Sequence, residues 1–107
     1  MSYTVIRYVT VSGADVVADY LRRLRDRVGL RAITRRLAQL ELGQFGDCRP
    51  CRDEIWELRI HTGAGYRIYY SIVANQVVLL LAAGSKRTQA GDIRRAIRNL
   101  ADYEAHQ

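Results

Sequence analysis

Residues 54–73 alternate apolar and polar side chains on either side of a glycine-containing break. In the first run Trp56, Leu58 and Ile60 share one face, and Glu57, Arg59 and His61 share the other. In the second, Tyr66, Ile68, Tyr70 and Ile72 oppose Arg67, Tyr69 and Ser71. Successive side chains of a strand point to opposite sides, so the pattern predicts two strands with one core face and one solvated face. Upstream, residues 3–10 read as a first strand. Ser12 marks a helix start, with Asp15 three residues on as a variant capping box. Val17, Leu21 and Leu24 form that helix's apolar stripe, and Gly29 breaks it. A second helix turns Ile33, Leu37 and Leu40 inward and Arg31, Arg35 and Arg36 outward, and Gly43 caps its end. The tight join predicts an antiparallel helical hairpin. Beyond the polar break Ala74-Asn75, residues 76–83 are almost wholly apolar, as in a central strand covered on both faces. A loop over 84–88 leads to a last helix, about 88–103, with Ile93, Ile97 and Leu100 as its stripe. The order β-α-α-β-β-β-α predicts an α+β fold: an antiparallel sheet with a helical hairpin and a C-terminal helix packed against it.

Composition sets the class. A chain of 107 residues, 49% hydrophobic and 26% charged, builds one core and so one domain, residues 1–107. Its net charge is +6 and its pI about 9.8, which favours an anionic partner. Lys86 is the single lysine among 17 basic residues, so 16 are arginines, whose forked guanidinium grips phosphate in a bidentate way. No run approaches the roughly 18 apolar residues of a membrane span, and the first residues lack a signal-peptide layout. A cytoplasmic protein is expected. Cys48 and Cys51 stand as Cys-Arg-Pro-Cys. A thioredoxin-type site needs a strand before the pair and a helix opening at the first cysteine, whereas here a strand follows. A zinc site needs two further ligands, and His61 and His106 are the only histidines. The pair reads as two small apolar loop residues. With no cluster of carboxylates, neither a metal nor another cofactor is expected.

The hairpin brings polar groups together. If Arg59 and Arg67 share a face, the loop between their strands has odd length or a bulge, and Gly65 in the left-handed region supplies it. Arg59 then stands opposite Arg67. A two-residue turn at Ala74-Asn75 places Ala82 beside Arg67 and brings Lys86 near the turn at residues 62–65. Arg59, His61, Arg67, Tyr69 and Lys86 gather at one end of the sheet. Such a cluster suits cleavage of an RNA phosphodiester by its own 2′-hydroxyl. Arginines stabilise the charge developing on the phosphoryl oxygens. They do not deprotonate, so acid–base work falls to His61 or Lys86.

The runs Glu57-Leu-Arg59-Ile, Gly65-Tyr-Arg67-Ile-Tyr and Gly84-Ser-Lys86-Arg-Thr-Gln89 carry a family resemblance. So do the apolar strand at 77–81 and the helix at 92–103. Together with Leu42-Gly-Gln-Phe-Gly-Asp47, they resemble the RelE/ParE toxin superfamily, and within it the HigB-like branch of addiction-module killer proteins. The resemblance implies a type II toxin that cuts mRNA, commonly on the ribosome. It also implies a cognate helix-turn-helix antitoxin that neutralises it. Arg59, Arg67 and Lys86 match the family's basic positions. With His61 they form the expected catalytic set, and Arg59, Arg67, Tyr69, Lys86 and Arg87 the expected RNA contacts. Ser85 stands where the branch often has an acidic residue, and neither tyrosine nor histidine follows Lys86 directly; Tyr103 is a distant candidate for proton transfer. The same fold hosts gyrase inhibitors, and a non-catalytic nucleic-acid-binding module shares the basic face.

Overall fold

A computed structural model describes residues 1–106. The elements are β1 (Thr4–Arg7), α1 (Val16–Arg23), α2 (Arg27–Glu41), β2 (Cys48–Pro50), β3 (Trp56–Ile60), β4 (Tyr66–Val73), β5 (Val77–Ser85) and α3 (Gln89–Ala105). A single 3-10 turn, Lys86–Thr88, joins β5 to α3. The five strands lie in the order β1-β5-β4-β3-β2. The α+β architecture stands as predicted, with two differences in the sheet. The first strand is only four residues long and runs parallel to β5, so the sheet is mixed. Three residues containing Cys48 form the short edge strand β2 against β3, where a loop was expected.

Both helix starts differ from their predicted places, α1 beginning later and α2 earlier. Asp15, not Ser12, is the N-cap of α1 and accepts a hydrogen bond from the Ala18 amide. Asp26 caps α2 through the Gly29 amide, so Gly29 lies inside the helix and the break falls before it. Glycine is required there because a Cβ would sit 2.5 Å from the Tyr66 ring. Asp26 also accepts the Tyr66 hydroxyl at 2.7 Å, tying the helix start to β4.

The sheet is buried on both sides. Leu58, Ile60, Tyr66, Ile68, Tyr70, Val78 and Leu80 pack against Val17 of α1 and Ile33 and Leu40 of α2. On the opposite face Tyr69, Leu79, Leu81 and Ala82 pack against Ala96 and Leu100 of α3. The face carrying Glu57, Arg67, Tyr69 and Ser71 is therefore covered, and all four are buried, contrary to the expectation of a solvated surface. The helical hairpin occupies one face, so the stripe of α3 has only the other on which to bury itself. Trp56 departs from the pattern too: at the outer end of β3 it remains 36% exposed. No helix among the described residues is long and apolar enough to cross a membrane.

A candidate nucleic-acid interface

Arg59 and Arg67 are direct partners across the β3–β4 ladder, as the odd loop requires. Gly65 has φ +78°, and its amide bonds to the Thr62 carbonyl at 3.0 Å, which closes the turn. The neighbour of Arg67 on β5 is Gly84, not Ala82; Ala82 pairs with Tyr69. Two insertions cause this. The β4–β5 loop has three residues, with Val73 paired to Val77, and Leu81 forms a bulge between the pairs Tyr70–Leu80 and Tyr69–Ala82. Together they shift the register by two, so parity survives and a small residue still sits beside Arg67. The space above Gly84 is filled by Asp92 and Thr88 of the incoming helix.

The centre of this face is Glu57, 3% exposed. Its Oε2 accepts the Tyr69 hydroxyl at 3.1 Å and the Gln89 amide at 2.7 Å. Arg59 Nε lies 3.6 Å from Oε1 and Arg67 Nε 3.6 Å from Oε2. Those distances are ionic contacts, too long for hydrogen bonds. Both Nε atoms are buried without a hydrogen-bond partner among the described residues. Like charges directly opposite on adjacent strands repel, and the carboxylate between them offsets that cost.

An open groove of about 490 Å³ runs between the β2–β3 edge and the first turns of α3. Arg49, Arg52, Arg59 and Arg94 line it, with Cys51, Glu57 and Gln89 among them. Four cations around one depression hold a polyanion better than any one alone, because the wall focuses the field. Lys86 and Arg87 are exposed at the same end of the sheet. The Lys86 amide donates to the Gly65 carbonyl at 2.7 Å, which seats this turn on the β3–β4 loop. His61 is exposed there as well, but its Nε2 is held by Asp47 Oδ2 at 2.5 Å. That contact holds the Asp47 carboxyl below its usual range, aided by the charges of His61, Arg59 and Arg49. The backbone carbonyl of Asp47 anchors the pair: it accepts the Arg59 amide at 3.0 Å and Arg36 Nη2 at 3.2 Å.

The expected residues thus divide. Arg59 lines the groove, Arg67 is its buried cross-strand partner, and Lys86, Arg87 and His61 lie at the same end of the sheet. Tyr69 is fully buried, so it offers no ring to a ligand at the surface. Burial and then Glu57 push its hydroxyl well above the ordinary value, which removes it from proton transfer near neutral pH. Tyr103 lies near the far end of α3, fourteen residues beyond Gln89, or about 21 Å along the axis. Burial, with Glu57, also pushes the Cys51 thiol up. Cys48 belongs to the hairpin-side core and Cys51 to the α3 side. Sequence reasoning missed Arg49, Arg52, Arg94, Gln89 and Asp47; the basic ones carry no sequence mark that sets them apart from the other arginines.

Residues 19–102 match the family described as phage-derived protein Gp49-like (DUF891). The chain belongs to the Gp49-like family. The match spans everything from within α1 to late in α3, and so includes the whole groove. A Haemophilus influenzae relative, described as an uncharacterized protein, is 39% identical over 78 residues, 73% of this chain and 79% of the relative. Among solved structures, a double arginine-to-alanine mutant of Escherichia coli toxin RelE in the free state superposes with a TM-score of 0.60. The alignment covers 89% of the Gp49-like chain and 98% of RelE at 13% identity. That likeness shows that the Gp49-like chain has a RelE-like fold.

Proposed function

We propose that this protein is the toxin of a type II toxin–antitoxin pair, of the HigB-like kind, and that it cleaves mRNA on the ribosome. The Gp49-like family's association with toxin–antitoxin systems and the RelE-like fold support the toxin reading. The observation that carries the nuclease reading is the opposed pair Arg59 and Arg67 beside a groove lined by three further arginines. In this reading the pair stabilises the phosphoryl oxygens as the 2′-oxygen attacks phosphorus and the bond to the 5′-oxygen breaks. Positive charge comes from the guanidinium groups, so the step needs no metal. Lys86, Arg87, Arg49, Arg52 and Arg94 hold the flanking phosphates. His61, fixed by Asp47 through Nε2, exchanges a proton through Nδ1. A cognate helix-turn-helix antitoxin neutralises the protein.

Expression without a partner, followed by mapping of mRNA ends, tests the proposal. Arg67→Lys is the control because it keeps a buried cation beside Glu57 while losing the fork. New cuts within translated codons that vanish in Arg67→Lys are expected. Growth arrest with intact mRNA and inhibited gyrase sinks the nuclease reading, and salt-dependent RNA binding without cuts or arrest leaves a plain binding module.

A further inference from the structure

We propose that Glu57 is a positioning residue that holds Arg59 and Arg67 in place for a phosphodiester while leaving their donors free. The inference rests on the RNA-cleavage reading above. It starts from an expensive group, a carboxylate 3% exposed between two sheet strands and a helix. Packing alone would be served as well by an apolar side chain. Its hydrogen bonds come from Tyr69 and Gln89, both to Oε2, so β4 and the first turn of α3 fix the carboxylate rather than the arginines. Oε1 accepts none, and Glu57 is among the residues lining the groove. The arginines approach to 3.6 Å, near enough to be held by charge and too far to spend an N–H. Both Nε atoms are without a hydrogen-bond partner among the described residues; Arg59 lines the groove, and Arg67, 5% exposed, is its direct partner across the ladder. Without a counter-charge the two arginines repel across the ladder.

Glu57→Gln keeps the shape of the side chain and an oxygen for Tyr69. Its folding is checked first by thermal unfolding. Two readouts follow. The first is binding of a 2′-deoxy oligonucleotide, which cannot undergo 2′-attack, to the intact protein, Arg59→Gln, Glu57→Gln and the double variant. We expect Arg59→Gln to weaken binding about tenfold in the intact protein and about twofold or less when Glu57 is already glutamine. The second is cleavage rate against pH. We expect Glu57→Gln to cut about a hundredfold more slowly, the scale of a misplaced catalytic group, with an unchanged pH profile.

Equal effects of Arg59→Gln in both backgrounds overturn the proposal. So does a pH profile whose acidic limb disappears in Glu57→Gln, since Glu57 would then itself move the proton. Binding with the expected coupling but no cleavage by the intact protein refutes the nuclease reading and leaves Glu57 as the organiser of a binding site.

Discussion

Gly84→Ala adds one methyl group at the point where α3 lands on the sheet beside Arg67. The new Cβ would overlap Asp92 Oδ2 outright and would lie 2.6 Å from Thr88 Oγ1 and 2.7 Å from Asp92 Cγ, where ordinary contact begins at 3.4 Å. Thr88 Oγ1 and Asp92 Cγ must therefore retreat by about 0.7–0.8 Å, the difference between those figures, and Asp92 Oδ2 by more. Neither retreats freely. Asp92 is 2% exposed, accepts the Thr88 hydroxyl at 2.5 Å and pairs with Arg95. Overpacking of this kind costs about 1–3 kcal/mol. Against it stands a gain of about 0.4–1 kcal/mol from stiffening the unfolded chain, the usual outcome of glycine to alanine in unstrained backbone. The net expectation is destabilisation by about 1–2 kcal/mol, or a Tm lower by about 5–15 °C for a domain of this size. Urea unfolding followed by circular dichroism reads it as a lower midpoint at constant slope. In an Asp92→Ala background the same substitution should cost less, by about 0.5 kcal/mol or more, because the two sites share the clash. The sign decides: a midpoint equal to or above that of the unsubstituted protein refutes the placement of the first turn of α3 over Arg67.

Alkali should unfold the protein through its tyrosines. Hydrogen bonding to Asp102 pushes Tyr8 up to about 12, and burial with Asp26 pushes Tyr66 up to about 12; Tyr20, Tyr69 and Tyr70 are raised as well, chiefly by burial. The folded state keeps protons that the unfolded chain releases, so this stability is complete below about pH 10 and lost as pH rises towards about 12; a denaturant midpoint unchanged from pH 9 to 11.5 contradicts it. Arg36→Met removes donors to the carbonyls of Arg59, Phe45 and Asp47, at 2.7, 2.9 and 3.2 Å, and should cost about 1–3 kcal/mol; a neutral effect on unfolding refutes its role as the tie between α2 and the end of β3. Cys48 and Cys51 belong to cores on opposite faces of the sheet and should remain separate thiols in air, with Cys51 slow to alkylate at pH 8; a Cys48–Cys51 disulfide by non-reducing mass spectrometry contradicts the placement.

The hairpin of β3 and β4 was legible because two local signals agreed. Arg59 and Arg67 share a face by alternation, and Gly65 supplies the left-handed residue that brings them opposite. Register beyond Tyr69 was not legible. The run 77–83 is so uniformly apolar that sliding it by one or two residues exposes nothing, and a bulge at Leu81 leaves no mark. The burial of Glu57, Arg67 and Tyr69 escaped for a different reason. The stripe of α3 states that the helix packs, but not onto which face, and polar residues on the sheet suggested water rather than a buried network. Ser12 and Asp15 are both good caps, and only the bridge of Val9 to Asp15 and the turn between them select the later one. The groove combines parts distant in sequence: Arg49 lies within the short edge strand β2, which ends in proline, Arg52 follows it, and Arg94 comes from α3.

The most direct test uses purified protein, ribosomes stalled on a defined mRNA, and RNA ends read by their chemistry. We expect cuts that leave a 5′-hydroxyl and a 2′,3′-cyclic phosphate or its 3′-phosphate hydrolysis product. These cuts should be at least about a hundredfold slower in folded Arg59→Gln and Arg67→Lys. Intact mRNA with the unsubstituted protein, or cutting that persists at full rate in both variants, contradicts the assignment of the arginine pair as the centre of an RNA-cleaving site.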